Sequence, residues 1–256
     1  AHSCYNIYMK KYLIIGDVHA DYLPFKKAID YATEHNLHLI SVGDIVDGGP
    51  DGAICVEAML KLLDNGTASM VKGNHEHKII RALNGANVLL GPPNIVTLDQ
   101  MKTDTKFVTD FKRMVTQYCE NYIKIDDKLY ITHGGMHQDF WAAESTGNLT
   151  RRMTDDMMFG QADYKQSFEH KGQTYPARTY EWRHSVPKDI TLIVGHDPAP
   201  LSEKPDFNNF QPKPLDFTND QGGRIIWLDC GAGKGGKLFG AVVNSATEIE
   251  EMVDFT

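Results

Sequence analysis

The chain has 256 residues, of which 41% are hydrophobic and 23% charged, and its formal net charge is −8. The length supports one sizeable hydrophobic core, and the lack of any run of about 18 apolar residues argues against a membrane span. The acidic balance argues against a protein that grips long nucleic acid, because such proteins usually show a basic patch. The short basic pairs at 10–11 and 151–152 are interpreted as parts of solvated faces.

Apolar strands alternate with amphipathic helices along the first third of the chain. Strands are predicted over 12–15, 38–42 and 68–71, and helices from 24, over 53–63 and over 75–83. This alternation indicates βαβ units and a largely parallel sheet. Later strands are predicted over 129–132, 191–194, 224–228 and 238–243. These later strands would form a second sheet packed on the first.

The segment 135–175 differs from its surroundings, because it is polar, rich in methionine and weakly periodic. Two interpretations stay open for it: a loop-rich cap near a site, or a plain surface excursion. No repeat or linker divides the rest, so residues 9–256 are predicted to form a single domain. Residues 1–8 precede Met9 and are interpreted as a cloning remnant or upstream sequence.

The cysteines and the start of the chain bear on its compartment. Cys4, Cys55, Cys119 and Cys230 lie far apart and show no C-x-x-C spacing. They are interpreted as reduced thiols, and no signal peptide is recognised. A cytoplasmic location is therefore predicted.

Residues that can bind a metal ion follow five of the predicted strands. They are Asp17 and His19, Asp44 and Asp47, Asn74 and His75, His133, and His196. Ligands of open α/β sheets bind at the carboxyl ends of the strands, so these side chains are expected to meet at one edge. A single Asp after a strand is usually a turn former or a helix cap. Five such positions together predict a metal centre of carboxylate, amide and imidazole ligands.

The ordered motifs also resemble a known family. They are Gly16-Asp17-Val18-His19, Gly43-Asp44-Ile45-Val46-Asp47, Gly73-Asn74-His75-Glu76, His133-Gly134-Gly135 and Gly195-His196-Asp197. The set resembles the calcineurin-like metallophosphoesterases, in particular the phosphoprotein (serine/threonine) phosphatase branch. Pro176-Ala177-Arg178, Trp182 and the strand to His196 look like the phosphatase module of bacterial RNA-repair enzymes and related bacterial phosphatases.

The resemblance implies an α/β fold, a four-layer α/β/β/α sandwich with two mixed sheets. It also implies two divalent metal ions, with Mn favoured and Fe or Zn as alternatives. Their ligands would be Asp17, His19, Asp44 (bridging), Asn74, His133 and His196. His75 would act as the general acid, oriented by Asp47. Asp229 would support the site from behind the ligands, or be an ordinary loop residue.

The implied activity is that of a phosphatase that hydrolyses phosphomonoesters, phosphoprotein-like or broad in specificity, with a hydroxide held by the dinuclear centre. The alternative is a nucleotide phosphodiesterase or dinucleoside polyphosphate hydrolase. A metal-binding scaffold without catalysis is disfavoured, because the proposed ligands and His75 are all present. The expected partner is a phosphorylated substrate, without membrane or long nucleic acid.

One departure from the family pattern concerns the substrate. The phosphoprotein phosphatases usually carry an Arg directly after the Asp that orients the general acid, and this chain has Gly48 there. A guanidinium would form two hydrogen bonds to a phosphate. Arg178 or Arg183 is predicted to supply that contact instead. The departure weakens the case for a phosphoprotein substrate without affecting that for metal ions.

Overall fold

The computed structural model describes residues 11–170, 173–198 and 213–256, so the predictions for 1–8 and Cys4 lie outside the described residues. The helices are α1 Tyr22–Glu34, α2 Gly52–Asp64, α3 Asn74–Leu83, α4 Pro92–Thr103, α5 Thr105–Gln117, α6 Phe140–Ala143 and α7 Arg151–Phe159. The strands are β1 Tyr12–Ile15, β2 His38–Ser41, β3 Ala68–Val71, β4 Cys119–Glu120, β5 Ile123–Ile125, β6 Leu129–Ile131, β7 Gln161–His170, β8 Gln173–Thr179, β9 Thr191–Val194, β10 Leu215–Thr218, β11 Arg224–Trp227, β12 Asp229–Cys230, β13 Lys237–Val243 and β14 Ile249–Asp254. Short 3₁₀ turns cover Glu144–Thr146 and Glu181–Ser185.

Two mixed sheets are present in the described part of the chain. The first has the order β12-β13-β1-β2-β3-β4, with β14 also paired to β13. Strands β1 to β4 run parallel, and β13 is antiparallel to β1. The second has the order β10-β11-β9-β6-β5, in which β11, β9 and β6 are parallel and both edges antiparallel. The carboxyl ends of the parallel strands in each sheet therefore lie at a common edge.

The two sheets pack face to face through one apolar layer. Strand side chains alternate between faces, so Ile14 of β1 enters this layer while Leu13 and Ile15 face the helices. The layer also contains Ile40, Val71, Ile131, Ile193 and Ile226. Burial of both faces explains why these strands are continuous apolar runs in the sequence.

The outer faces of both sheets are covered. Helices α1, α2 and α5 pack on the first sheet through residues such as Phe25, Met59 and Phe111. The outer face of the second sheet is covered by α6, α7 and the 3₁₀ turn at 181–185, which contribute Phe140, Met157 and Trp182. These layers confirm the predicted four-layer α/β/β/α architecture.

The segment 135–175 begins as part of that outer layer. Met136, Met153, Met157 and Met158 are buried, and Met136 and Met157 belong to the apolar cluster on the second sheet. The segment continues into the β7–β8 hairpin, a two-stranded antiparallel sheet of its own. A role of this segment as a cap over substrate stays a prediction. Along the described residues, no helix is both long and apolar enough to cross a bilayer.

Candidate metal centre

The predicted ligands meet at the carboxyl edge of the two sheets. Asp17 and His19 follow β1, Asp44 follows β2, Asn74 follows β3, His133 follows β6, and His196 follows β9. Several of these loops have left-handed backbone, with φ of 48° at His19, 53° at Asp44 and 71° at His196. Such conformations cost energy in residues other than glycine and concentrate at functional sites. The strained turns bring the side chains over the edge of the sheets.

Two glycines permit the close approach of these loops. A Cβ on Gly73 would overlap Oδ1 of Asp44, and a Cβ on Gly195 would overlap Oδ1 of Asp17. Any side chain at either position would push a ligand carboxylate out of place. The glycines next to the ligands are therefore required for packing around the centre.

One half of the centre lies around His19. Its Nδ1 lies 2.8 Å from the carbonyl oxygen of Asp47, which fixes the proton on Nδ1 and leaves a lone pair on Nε2. That Nε2 lies 3.6 Å from Oδ2 of Asp17 and 3.8 Å from Oδ2 of Asp44. Asp17, His19 and Asp229 form one group whose ligand atoms all lie within 4.8 Å of one another.

The other half lies around Asn74. Its Oδ1 is 2.9 Å from Nε2 of His133 and 2.8 Å from Nδ1 of His196. Nδ1 of His133 donates to the carbonyl of Val42 at 2.8 Å, so its Nε2 faces the cluster. Oδ2 of Asp44 lies 3.3 Å from that Nε2. Asp44 therefore belongs to both halves, which is the position required of a bridging ligand.

Burial gives the centre its electrostatic character. Burial raises the pKa of Asp17 well above its usual range, and the nearby Asp229 adds to the rise. Burial alone would lower the pKa of His133, but the Asp44 carboxylate and its hydrogen bond raise it to about 10. Burial, and then Arg178, lower the pKa of His196. Without a metal ion, His133 is thus the cationic partner of Asp44, while Asp17 and Asp229 crowd each other.

The donor set fits divalent metal ions. Oδ2 of Asp229 is buried and has no hydrogen-bond partner among the described residues, and Asp229 lies in one group with Asp17 and His19. Buried polar atoms are nearly always paired, so an unpaired carboxylate oxygen beside a second carboxylate and an imidazole indicates a bound cation. Mixed imidazole, amide and carboxylate ligands suit Zn, Fe and Mn. The chain therefore contains groups of residues that can hold metal ions.

His75 lies beside this cluster and is held from behind. Its Nδ1 is 2.7 Å from Oδ2 of Asp47, and its Nε2 is 3.8 Å from Oδ2 of Asp44. The side chain of His75 is 16% exposed, whereas the Asp47 side chain is fully buried. A substrate can therefore reach the imidazole on its Nε2 side. The pairing that the resemblance implied for His75 and Asp47 is present in the structure.

Asn94 is part of this arrangement and was missed from the sequence. Its Nδ2 donates a short hydrogen bond to the same Oδ2 of Asp47 and lies 3.3 Å from Nδ1 of His75. Asn94 is buried at the start of α4, a helix that the sequence did not predict. The Gly-Pro-Pro run at 91–93 is typical of a helix start and was the available indication.

Glu76 ends the motif that begins at Gly73, and the sequence predicted no role for it. In the structure it holds the loop that carries Asp44. Its carboxylate accepts hydrogen bonds from the backbone N–H groups of Asp44 and Ile45 at 2.8 Å and of Gly73 at 3.1 Å. Burial, and then the Asp44 charge, raise the pKa of Glu76 to about 7. Glu76 therefore holds the backbone of Asp44 in place through these hydrogen bonds.

The predicted supporting residue, Asp229, lies close to the ligands. It is 2% exposed, and its Oδ1 accepts from the N–H of Gly231 at 2.9 Å. Asp229 belongs to the group of Asp17 and His19, and its Oδ2 has no hydrogen-bond partner among the described residues. A carboxylate in this place would orient the neighbouring ligands or bind an ion itself. Its supporting role stays a prediction.

The structure separates the two arginines predicted to contact phosphate. Arg178 donates a short hydrogen bond to the carbonyl of Phe159, and its Nε lies 3.8 Å from Oδ1 of Asp197, the residue after His196. Its charge acts on the pKa of His196. Arg178 is therefore brought to the His196 side of the centre.

Arg183 is not brought there. Its guanidinium lies 4.7 Å over the ring of Phe217. Its carbonyl accepts from Asn219, which precedes β11, at 2.9 Å. The ligands follow the carboxyl ends of strands parallel to β11, so Arg183 is anchored at the opposite end. The structure gives the prediction of a substrate contact by Arg183 no support.

Comparisons with known proteins agree with the arrangement. The family model described as calcineurin-like phosphoesterase matches residues 10–227. A bis(5'-nucleosyl)-tetraphosphatase PrpE [asymmetrical] of Anoxybacillus flavithermus is 25% identical over 203 residues, which cover 73% of this chain and 79% of that protein.

Solved structures show the same fold. A protein provisionally assigned as a diadenosine tetraphosphatase has a TM-score of 0.58 at 18% identity, covering 96% of this chain and 93% of that one. A protein serine/threonine phosphatase from Saccharomyces cerevisiae, with similarity to human phosphatase PP5, has a TM-score of 0.55 at 13% identity, covering 96% and 78%.

Proposed function

The chain belongs to the calcineurin-like phosphoesterase family, and from that premise we propose that its clustered side chains hold two divalent metal ions for the hydrolysis of a phosphate ester or phosphoanhydride. The proposed ligands are Asp17, His19, Asp44, Asn74, His133 and His196. The observation that carries the proposal is the position of Asp44, which belongs both to the group with His19 and His75 and to the group with His133 and His196. A finer placement in the phosphoprotein phosphatase branch stays a prediction.

When bound, two such ions supply Lewis acidity toward phosphoryl oxygens and lower the pKa of a water molecule. The side chains of the protein would hold these ions in fixed positions. Asp44 lies between the two halves, and Glu76 holds its backbone by hydrogen bonds of 2.8 Å. Fixed, preorganised ligands would let the negative charge on the phosphoryl oxygens be stabilised in the transition state without reorganisation.

His75 completes the reaction by giving a proton to the leaving oxygen. Its Nδ1–H donates to Asp47 at 2.7 Å, which fixes the ring and directs Nε2 toward the cluster. As the bond from phosphorus to the leaving oxygen breaks, that oxygen takes the Nε2 proton. Water supplies the other oxygen of the phosphate product. No side chain of this set needs to become phosphorylated.

For the substrate, the comparisons favour a dinucleoside polyphosphate, in which the bond to be hydrolysed is a phosphoanhydride. The curated relative named as a bis(5'-nucleosyl)-tetraphosphatase aligns over 203 residues and most of its own length. The Arg expected of phosphoprotein phosphatases is absent at Gly48. We therefore place the dinucleoside polyphosphate first and the phosphomonoester second. We propose Mn²⁺ as the metal, with Fe or Zn as alternatives, and the cytoplasm as the location.

A substrate panel tests this order. Diadenosine tetraphosphate, p-nitrophenyl phosphate, its bis-ester and a phosphopeptide are assayed with Mn²⁺ at equal enzyme. We expect kcat/KM to be at least about tenfold higher for the tetraphosphate than for the phosphopeptide, corresponding to roughly 1.4 kcal/mol of transition-state binding. A preference for the phosphopeptide would restore the phosphomonoester assignment. No cleavage of any compound would refute the proposed function.

A further inference from the structure

We propose that Lys234 is a phosphate-binding residue of this site, and that it grips the substrate on the side of Asp17 and His19. The inference rests on the proposed function, since a phosphorylated substrate has to reach the centre. Lys234 was not among the site residues predicted from the sequence. In the sequence it is one basic residue in a glycine-rich stretch.

A tight glycine loop brings Lys234 to the centre. Gly231, Gly233 and Gly235 have φ of 79°, 67° and 87°, and the N–H of Gly236 donates to the carbonyl of Gly231 at 2.8 Å. A Cβ on Gly233 would overlap the carbonyl of His19. The loop therefore lies directly against the backbone of a ligand residue.

The loop can approach so closely because of the residue at position 48. Gly48 has a φ of 122°, and a Cβ there would come within 3.1 Å of the His19 side chain and 3.3 Å of the Gly233 carbonyl. A long side chain at 48 would compete with the loop for this space. Gly48, where the family usually has an Arg, is thus adjacent to the glycine loop that carries Lys234.

The ammonium of Lys234 reaches the ligands from an exposed residue. Its Nζ lies 2.7 Å from Nε2 of His19, while the residue as a whole is exposed. Nδ1 of His19 is committed to the Asp47 carbonyl, so the ammonium uses the lone pair that a metal ion would take. With an ion bound there, the ammonium has to turn away from His19, yet it stays tethered within reach of any group on the open side of that ion.

Lysine suits this task chemically. Its ammonium is a compact charge with three donors on a flexible stem. Hydrogen bonds between an ammonium and a phosphate oxygen are charge-assisted and shorter and stronger than neutral ones. When an ion takes the Nε2 lone pair of His19, Lys234 loses its hydrogen-bond acceptor. An oxygen of a phosphate bound to that ion would then accept the hydrogen bond instead.

A second cation stands on the other side of the centre. Lys234 lies against His19, whereas Nε of Arg178 lies 3.8 Å from Oδ1 of Asp197, the residue after His196. Lys234 and Arg178 therefore stand beside different halves of the ligand set. Two separated cations suit a substrate with more than one phosphate group.

The test compares Lys234→Met, Lys234→Arg and the matched control Lys237→Met. Lys237 lies three residues further on and pairs with Asp254 on the outside of the sheet. Inorganic phosphate is titrated calorimetrically into each Mn²⁺-loaded protein, and bound Mn²⁺ is counted in parallel. Methionine keeps the length of the side chain and removes its charge.

We expect Lys234→Met to raise the Kd for phosphate by about 10- to 100-fold, since hydrogen bonds to charged groups are worth that range. Its Mn²⁺ content should equal that of the wild type, and Lys234→Arg should recover part of the affinity. An unchanged Kd in Lys234→Met, or an equal loss in Lys237→Met, would overturn the inference. A wild type that binds phosphate through Lys234 but cleaves neither the tetraphosphate nor any ester would refute only the proposed function.

Discussion

Replacing His75 with asparagine is expected to lower kcat by about 10²- to 10⁴-fold, the usual contribution of general acid catalysis. Asparagine keeps a polar side chain beside Asp47 but has no proton that it can give to an alkoxide. The loss should be smaller for p-nitrophenyl phosphate than for an alkyl phosphate ester, because p-nitrophenolate leaves readily without a proton. Steady-state kinetics with both esters measures this difference.

The metal content of the variant shows whether His75 is the general acid or a metal ligand. His75 belongs to one of the groups that can hold an ion, together with His19 and Asp44. If His75 is the acid, the variant keeps the ions of the wild type. The matched control is His35→Asn at the exposed end of α1, which should retain full activity. Full activity of the His75 variant, or its loss of metal, would contradict the assigned role.

Replacing Asp44 with asparagine is expected to reduce the affinity for both ions and to lower activity by at least about a hundredfold. Changes to groups that only support a metal ligand already cost 10- to 100-fold. Asp44 lies 3.3 Å from Nε2 of His133 and 3.8 Å from Nε2 of His19, so one substitution affects both halves. Metal analysis after dialysis, with activity on the same samples, measures the effect.

The fold is expected to tolerate that substitution. Asp44 has a φ of 53°, and asparagine adopts this left-handed region as readily as aspartate. Its amide oxygen can still accept the hydrogen bond from the N–H of His75, which is 3.0 Å in the structure. Asp126→Asn is a matched control: φ is 50° there, in an exposed turn at the amino end of β6. A variant at Asp44 that kept both ions would show that Asp44 does not bridge them.

Much of the fold was predictable because the central strands are buried on both faces. Continuous apolar runs placed β1, β3 and β9 correctly to the residue. Helix α4 was missed since its buried face includes Asn94 and Thr97, which breaks the apolar period. Helix α5 does show that period, in Phe107, Phe111 and Met114, and was detectable. Strand β7 has an exposed polar stretch at 164–167 without the alternation that predicts a strand.

The clustering of the candidate ligands was predictable for the same reason as the strands. Each follows an apolar run, and parallel strands share one edge. The residues around the ligands were not, because their roles depend on contacts between distant parts of the chain. Asn94 meets Asp47 from 47 residues away, and Lys234 meets His19 from 215 residues away. Local sequence patterns do not report such contacts. For Arg183, a nearby motif predicted a substrate contact, whereas its backbone carbonyl accepts a hydrogen bond from Asn219, which precedes β11.

The metal dependence of the hydrolysis is the central claim, and one reconstitution experiment tests it most directly. The protein is freed of metal with a chelator and titrated with Mn²⁺, while bound ions per chain and phosphate release are measured on the same samples. We expect no hydrolysis without metal and full activity when about two ions are bound per chain. Undiminished hydrolysis by the metal-free protein, or full activity at a single ion per chain, would contradict the two-metal centre.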